Sequence, residues 1–167
     1  MKARAIIVMG VSGSGKTSVG KALAAASEIP FIDGDDLHSQ SNISKMEQGL
    51  PLTDEDRFDW FNSIIDAATK MIAGGTSCVF ACSALKKKYR EKLRNEIDPV
   101  CFVYLKASYE RVYQHLLDRK GHFMPVSLLK NQFDILEEPG VEEEDVITIE
   151  VTDKLYDTVS ATLQAID

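Results

Sequence analysis

The stretch Gly10-Val11-Ser12-Gly13-Ser14-Gly15-Lys16-Thr17 decides how the rest of the chain is read. It fits the pattern G-x-x-x-x-G-K-[ST] in full. An apolar run, Ala5–Met9, stands before it, and an alanine-rich helical pattern, Lys16–Ser27, follows. Strand, glycine loop, helix is the context in which this pattern cradles phosphates. Gly10, Gly13 and Gly15 let the backbone turn so that successive N–H groups face one anion. Val11, Ser12, Ser14 and Ser18 complete the expected cradle, and the helix start adds the positive end of its dipole. The Lys16 ammonium is expected on the β- and γ-phosphates and the Thr17 hydroxyl on Mg²⁺. The loop therefore points to a nucleoside triphosphate.

Outward from the loop, short apolar runs at 5–9, 30–32, 77–82, 100–105 and 146–151 alternate with amphipathic stretches. The runs are rich in Val, Ile, Phe and Tyr and mostly lack alternation, as strands buried on both faces do. In 53–73, Trp60, Ile64, Ala67, Ala68, Met71 and Ile72 share one helical stripe. Thr53 with Asp56 forms a capping box with Asp in place of Glu, and Gly74–Gly75 end the helix. Ser108 is placed to cap a helix running to Arg119. Leu155, Val159, Leu163 and Ile166 mark the last helix, capped by Thr152 or Asp153. Repeated strand and helix predict one α/β domain with a parallel sheet and right-handed crossovers. The acidic stretch 137–145 reads as a solvated loop.

The net charge of −7 over 167 residues argues against a protein that grips nucleic acid. No apolar run approaches the length of a membrane span, and no signal peptide is evident, so the expected location is the cytoplasm. Cys78, Cys82 and Cys101 lie in apolar runs and read as reduced core residues. They lack zinc spacing with His38, His115 and His122. The absence of N-K-x-D sets aside a GTPase. One compact domain with the loop at its start has the size of a small-metabolite kinase.

The next motif is FIDGDDLH, residues 31–38. A carboxylate at the end of a neighbouring strand lies over the sheet edge where ligands bind. Asp33 there suits a Mg²⁺-bound water, and Asp35 suits the proton of an acceptor hydroxyl. The bland alternative is a turn with a helix cap. Cations follow. Lys45 lies in the next helix, and Arg57 sits in a first helical turn, where the dipole disfavours it. Ser83 ends the third strand, and KKKYR (86–90) opens a helix with the same misfit. Such placement favours an anion site that includes Lys86 and Arg90. RKGHFMP (119–125) reads as a cationic lid, with Arg119 for the nucleotide and His122 for the acceptor.

Together GVSGSGKT, FIDGDDLH with N-I-x-K-M (42–46), G-x-P-L-x-D-x-D-R (49–57), CSALKKKYR (82–90) and RKGHFMP with L-L-x-x-Q-F (128–133) resemble the gluconokinase family. The resemblance covers nearly the whole chain. It implies a fold similar to shikimate and adenylate kinases: a three-layer α/β/α P-loop kinase with a five-stranded parallel sheet. It also implies a substrate-binding helical segment at about 36–73 and a lid at about 119–139. The implied reaction is ATP-dependent phosphorylation of D-gluconate at its 6-hydroxyl, and members are often homodimers. Asp35 is implied at the acceptor, with His38, Lys45, Arg57, Ser83, Lys86 and Arg90 around it and Arg119 on the lid. The chemistry agrees, because an open-chain polyol acid wants a guanidinium for its carboxylate and Asp, His and Ser for its hydroxyls. Ser39 stands where the family commonly has Pro, and Asn131 where Ser is frequent. Two competing readings are a related kinase for another polyol acid such as shikimate, and an ATP-binding regulator without catalysis.

Overall fold

A computed structural model describes residues 2–118 and 128–166. Strands β1 (Ala5–Met9), β2 (Phe31–Asp33), β3 (Cys78–Ala81), β4 (Val100–Lys106) and β5 (Val146–Glu150) pair in parallel in the order β2-β3-β1-β4-β5. The pleat divides β1 between two cores. Ile7 and Met9 pack with Trp60, Phe61 and Ile64 of α3 (Asp54–Ala73) and with Tyr89 and Leu93 of α4 (Lys87–Glu96). Ile6 and Val8 pack with Val19 and Leu23 of α1 (Lys16–Ser27) and with Val159 and Leu163 of α7 (Leu155–Ile166). Both sheet faces are thus covered, which is why the strand runs lack alternation and why the fold has three layers. A smaller cluster, Val11, Leu85, Val112, Leu116 and Leu129, seats α5 (Tyr109–Asp118) and α6 (Leu129–Ile135) over the loop end of the sheet.

Element boundaries follow local chemistry. Thr53 and Asp56 form a capping box, both halves of which are present. Ser39 Oγ accepts from Asn42 N at 3.1 Å and starts α2 (Gln40–Glu47), so the serine where the family commonly has proline is a helix cap. Ser108 Oγ accepts from Arg111 N at 3.2 Å at the start of α5. At α7 the expected caps act otherwise: Thr152 Oγ1 donates to Lys154 O, and Asp153 pairs with Arg111. The three cysteines are unpaired thiols, and burial pushes Cys82 up to about 12, which leaves it inert. Among the described residues no helix is long and apolar enough to cross a membrane.

The acidic stretch corrects its sequence reading. Glu143 is buried, not solvated. Its two oxygens accept from Arg90 Nε and Nη2, each at 2.8 Å, and Arg94 Nη2 reaches it at 2.9 Å. Arg94 also binds Asp145 through Nε at 2.9 Å. The segment before β5 is therefore a clamp on α4.

Candidate active site

The carboxyl ends of β1, β2 and β3 converge on one corner. β1 leads its chain toward β2, while β4 leads toward β5, so the loop after β1 lies where the connections diverge. Gly10, Gly13 and Gly15 all adopt positive φ, as the tight loop requires. Gly10 N donates to Ser83 O at 3.3 Å, which joins the loop to the end of β3. Ser12 N donates to the buried Gln132 Oε1 at 2.8 Å, which ties the loop to α6. Lys16 Nζ donates to Val11 O at 2.9 Å, across the mouth of the loop.

Two connected spaces meet here. The outer one is a cleft of about 1140 Å³, lined by Gly13–Val19 and reaching Arg111 of α5 and Thr152 and Asp153 beyond β5. Ser14 Oγ in its wall is buried with no hydrogen-bond partner among the described residues. A buried hydroxyl left so costs about 1–3 kcal/mol. The fit to a nucleotide's phosphates rests on the backbone instead: glycines at positive φ shape the loop, and α1 starts after Gly15 with no side-chain cap on its N–H groups, a donor set that suits an anion. The inner space is a recess lined by His38, Arg57, Trp60, Ser83, the apolar segment 50–52, and Asn131 and Gln132 of α6. Ser12, Lys16 and Asp35 line both spaces.

At the β2 end, Asp33 Oδ1 accepts from Asp35 N at 3.0 Å, and its Oδ2 accepts from Thr17 Oγ1 at 3.0 Å. Asp33 thereby caps the short 3₁₀ turn Gly34–Leu37 and brings two oxygen ligands side by side. Gly34 is required by crowding, because a Cβ there would lie 2.4 Å from Ala81 O. Trp60 Nε1 donates to Gly34 O at 2.6 Å, and the Trp60 ring stacks on His38 with centroids 4.0 Å apart. Burial, then the Arg57 charge, lower His38 to about 4, against the opposing pull of Asp33. Arg57 is buried, and its Nη1 donates to the phenol of Tyr89 at 3.1 Å.

The structure gathers Lys16, Asp35, His38, Arg57 and Ser83 at the recess, with Gly13, Ser14, Gly15, Thr17, Ser18 and Asp33 on the cleft side. It does not bring Arg90 there. Arg90 is fully buried, and all five of its N–H groups are taken, by Glu143 and by the carbonyls of Ala84, Leu85 and Glu137. The helix-dipole misfit that marked it as an anion ligand is answered by Glu143 instead. Lys45 and Lys86 are likewise not among the lining residues: Lys45 Nζ lies 2.8 Å from Asp56 and Lys86 Nζ 3.2 Å from Asp54. Lys88 and the Tyr89 hydroxyl also bind Asp54, which holds that carboxyl well below the usual range. Arg119 and His122 lie outside the described residues. Gln132, Asn131, Trp60 and Arg111 carried no role in the sequence reading. Only Gln132, within the L-L-x-x-Q-F motif, and Asn131, where the family frequently has Ser, offered a signal.

Comparison with known proteins agrees with this architecture. The Shikimate kinase family model matches residues 12–166. The thermosensitive gluconokinase of Escherichia coli is 43% identical over 99% of this chain and 89% of its own length. The crystal structure of a gluconokinase from Sinorhizobium meliloti superposes with a TM-score of 0.87 at 42% identity, covering 99% of this chain and 92% of that one. An unliganded sugar kinase from a Janibacter species gives 0.93 at 36% identity over 99% and 95% of the two chains. Likeness of this extent, carried by a phosphate loop that opens onto a polar recess, makes the chain a P-loop kinase of the gluconokinase family.

Proposed function

We propose that the chain transfers the γ-phosphoryl group of ATP to the 6-hydroxyl of D-gluconate, giving 6-phospho-D-gluconate and ADP. The observation that carries this reading is the shared wall of the two spaces, where Ser12, Lys16 and Asp35 face both cleft and recess. A group handed from one ligand to the other passes there. Lys16 draws charge from the transferring phosphoryl group, and Asp35 accepts the hydroxyl proton. Proton removal assists less than alignment does, because the transition state is loose. Arg57 serves the carboxylate of gluconate, while His38 and Ser83 serve its hydroxyls. Thr17 and Asp33 are the residues that would hold Mg²⁺, Asp33 through water. Two protein oxygens with the remainder from phosphates and water suit that ion. When bound, the ion neutralises phosphate charge.

Residues 36–73 form the substrate segment of a single domain, and the resemblance supports a lid over 119–139 and a homodimer. Within that lid, α6 contributes Asn131 to the recess and Gln132 to the loop. The test is an ATP-coupled turnover assay on gluconate, shikimate and a panel of other sugar acids. Gluconate is expected to give the highest kcat/KM. Preference for shikimate, or ATP binding with no transfer to any acid, overturns the reading.

A further inference from the structure

Asn42, in the first turn of α2, is buried beside the recess without lining it. Its side-chain Nδ2 lies 3.0 Å from the Asp56 carbonyl oxygen and 3.2 Å from His38 Nδ1. A carbonyl oxygen only accepts, so the Asp56 carbonyl decides which way the amide points. One N–H of Asn42 goes to Asp56, and the other faces His38 Nδ1. A ring nitrogen that meets an N–H must offer its lone pair. The imidazole proton is then on Nε2, which lies 3.9 Å from Asp35 Oδ1. The stacked Trp60 ring holds the plane of the imidazole, and the Asn42 amide meets its Nδ1 edge.

We propose that Asn42 is a positioning residue that locks His38 as the neutral Nε2–H tautomer, so that His38 offers a hydrogen-bond donor to the acceptor hydroxyl beside Asp35. The proposal rests on the reading of Asp35 and His38 as acceptor-site residues. Its chemistry follows from the two-sided nature of a hydroxyl. The oxygen accepts from His38 Nε2–H while its own proton goes to Asp35, and a second lone pair is left for attack on phosphorus. His38 keeps its proton throughout. The other tautomer would set a lone pair on Nε2 to compete with Asp35 for the hydroxyl proton. An imidazolium would set Nδ1–H against the N–H of Asn42 and bind Asp35 directly, taking up the carboxylate needed as base. The charged groups around the ring are Asp33 and Asp35 from the β2 end, Arg57 from α3, and Lys16 across the recess. Burial and Arg57 favour the neutral ring, in agreement with the amide geometry.

The test is long-range ¹H–¹⁵N correlation on protein labelled at histidine nitrogens, without ligands, beside steady-state kinetics. At pH 7, His38 is expected to show the Nε2–H pattern and to stay neutral well below pH 6. In Asn42→Asp the donor becomes an acceptor. His38 should then carry a proton on Nδ1 at pH 7, and its titration midpoint should rise above the ordinary histidine value. Turnover should fall about tenfold, the weight of one hydrogen bond, with the KM for ATP unchanged. Asn42→Leu should leave both tautomers populated. An Nδ1–H tautomer in the unaltered protein overturns the proposal whether or not the variants fold. So does an Asn42→Asp protein that changes the tautomer yet keeps full turnover on gluconate, an outcome that leaves the gluconokinase reading intact. If the unaltered protein fails to turn over gluconate, the kinase reading falls instead, and the spectrum alone still decides whether Asn42 sets the tautomer.

Discussion

Lys16 and Arg57 line the inner recess, whereas Lys86 and Arg90, marked by the same placement near a helix start, and Lys45, in the last turn of α2, face the protein's own carboxylates. The first turn of α3 carries Asp54, Glu55 and Asp56, which complement its dipole. The start of α4 brings Lys86, Lys88 and Tyr89 onto Asp54. Two helix N-termini, one acidic and one basic, are thus matched to each other. A cation against a helix dipole does signal a nearby anion. Whether that anion is a ligand or a carboxylate from another part of the chain depends on the fold.

Lys16→Ala should produce the largest effect on the recess side. Loss of a charge aimed at the transferring phosphoryl group is expected to lower turnover by about a thousandfold or more, roughly 4 kcal/mol. Thermal unfolding should barely move. Turnover within about tenfold of the unaltered enzyme would remove Lys16 from the reaction.

Arg90→Ala tests the opposite side of the comparison. It strands Glu143, whose side chain is 3% exposed, without its main partner. Breaking a buried pair on one side costs about 3–5 kcal/mol, which urea unfolding would read directly. Gluconate KM in the folded protein should stay within about twofold, since all five hydrogen bonds of the guanidinium go to residues outside the recess lining. A large rise in KM with unchanged stability would return Arg90 to the substrate.

The same clamp sets an acid limit. The Arg90 hydrogen bonds hold Glu143 near about 2, against an ordinary value of 4.5. A depressed carboxyl gives its stability above the ordinary value and loses it as pH falls toward the folded one. Unfolding free energy should therefore drop between pH 4.5 and 2. His38 adds an earlier decline. It is neutral in the folded protein down to about 4, while the unfolded chain takes its proton below 6.5, so stability falls across that window too. Glu143→Gln should make the lower window shallower, with Asp54 and Asp56, also held below the ordinary carboxylate range, keeping their share of it, and should leave the upper one in place.

The fold was legible because its signals are local. The loop pattern, five apolar runs and the Thr53–Asp56 box each state their structure within a few residues, and the helix Lys16–Ser27 begins and ends where its composition changes. The gathering of Lys16, Thr17, Asp33 and Asp35 at the cleft was legible for the same reason, as they lie in two short motifs. What escaped were pairings across 32 to 53 residues: Lys86 with Asp54, Tyr89 with Arg57, and Arg90 with Glu143. Glu143 belongs to an acidic run that resembles any solvated loop until α4 is packed against it. Asn131 and Gln132 reach the site only because α6 folds back over the phosphate loop.

On the recess side again, Arg57→Ala should raise the KM for gluconate about ten- to fiftyfold. That is the weight of a charged hydrogen-bonded contact, roughly 1.5–2.5 kcal/mol. Its effect on ATP should be small, because Arg57 lines only the inner space. Equal losses for both substrates would mean that the Tyr89–Arg57 contact supports the fold and not the carboxylate.

Lys45→Ala and Lys86→Ala should give the smallest effects, and they discriminate most sharply between the two roles of a cation. Their partners Asp56 and Asp54 are partly exposed, and exposed pairs contribute about 0–1 kcal/mol. If both lysines serve only those carboxylates, stability falls by less than about 1 kcal/mol and gluconate KM stays within about twofold. If instead either swings from its carboxylate to the acid of the substrate, KM rises about tenfold with stability unchanged. Asp54→Asn separates these cases further. It releases Lys86, Lys88 and Tyr89 together, so Arg57 loses the anchor behind its phenol partner. A rise in gluconate KM in Asp54→Asn, but not in Lys86→Ala, would show that the α3–α4 cluster acts on the substrate through Arg57 alone.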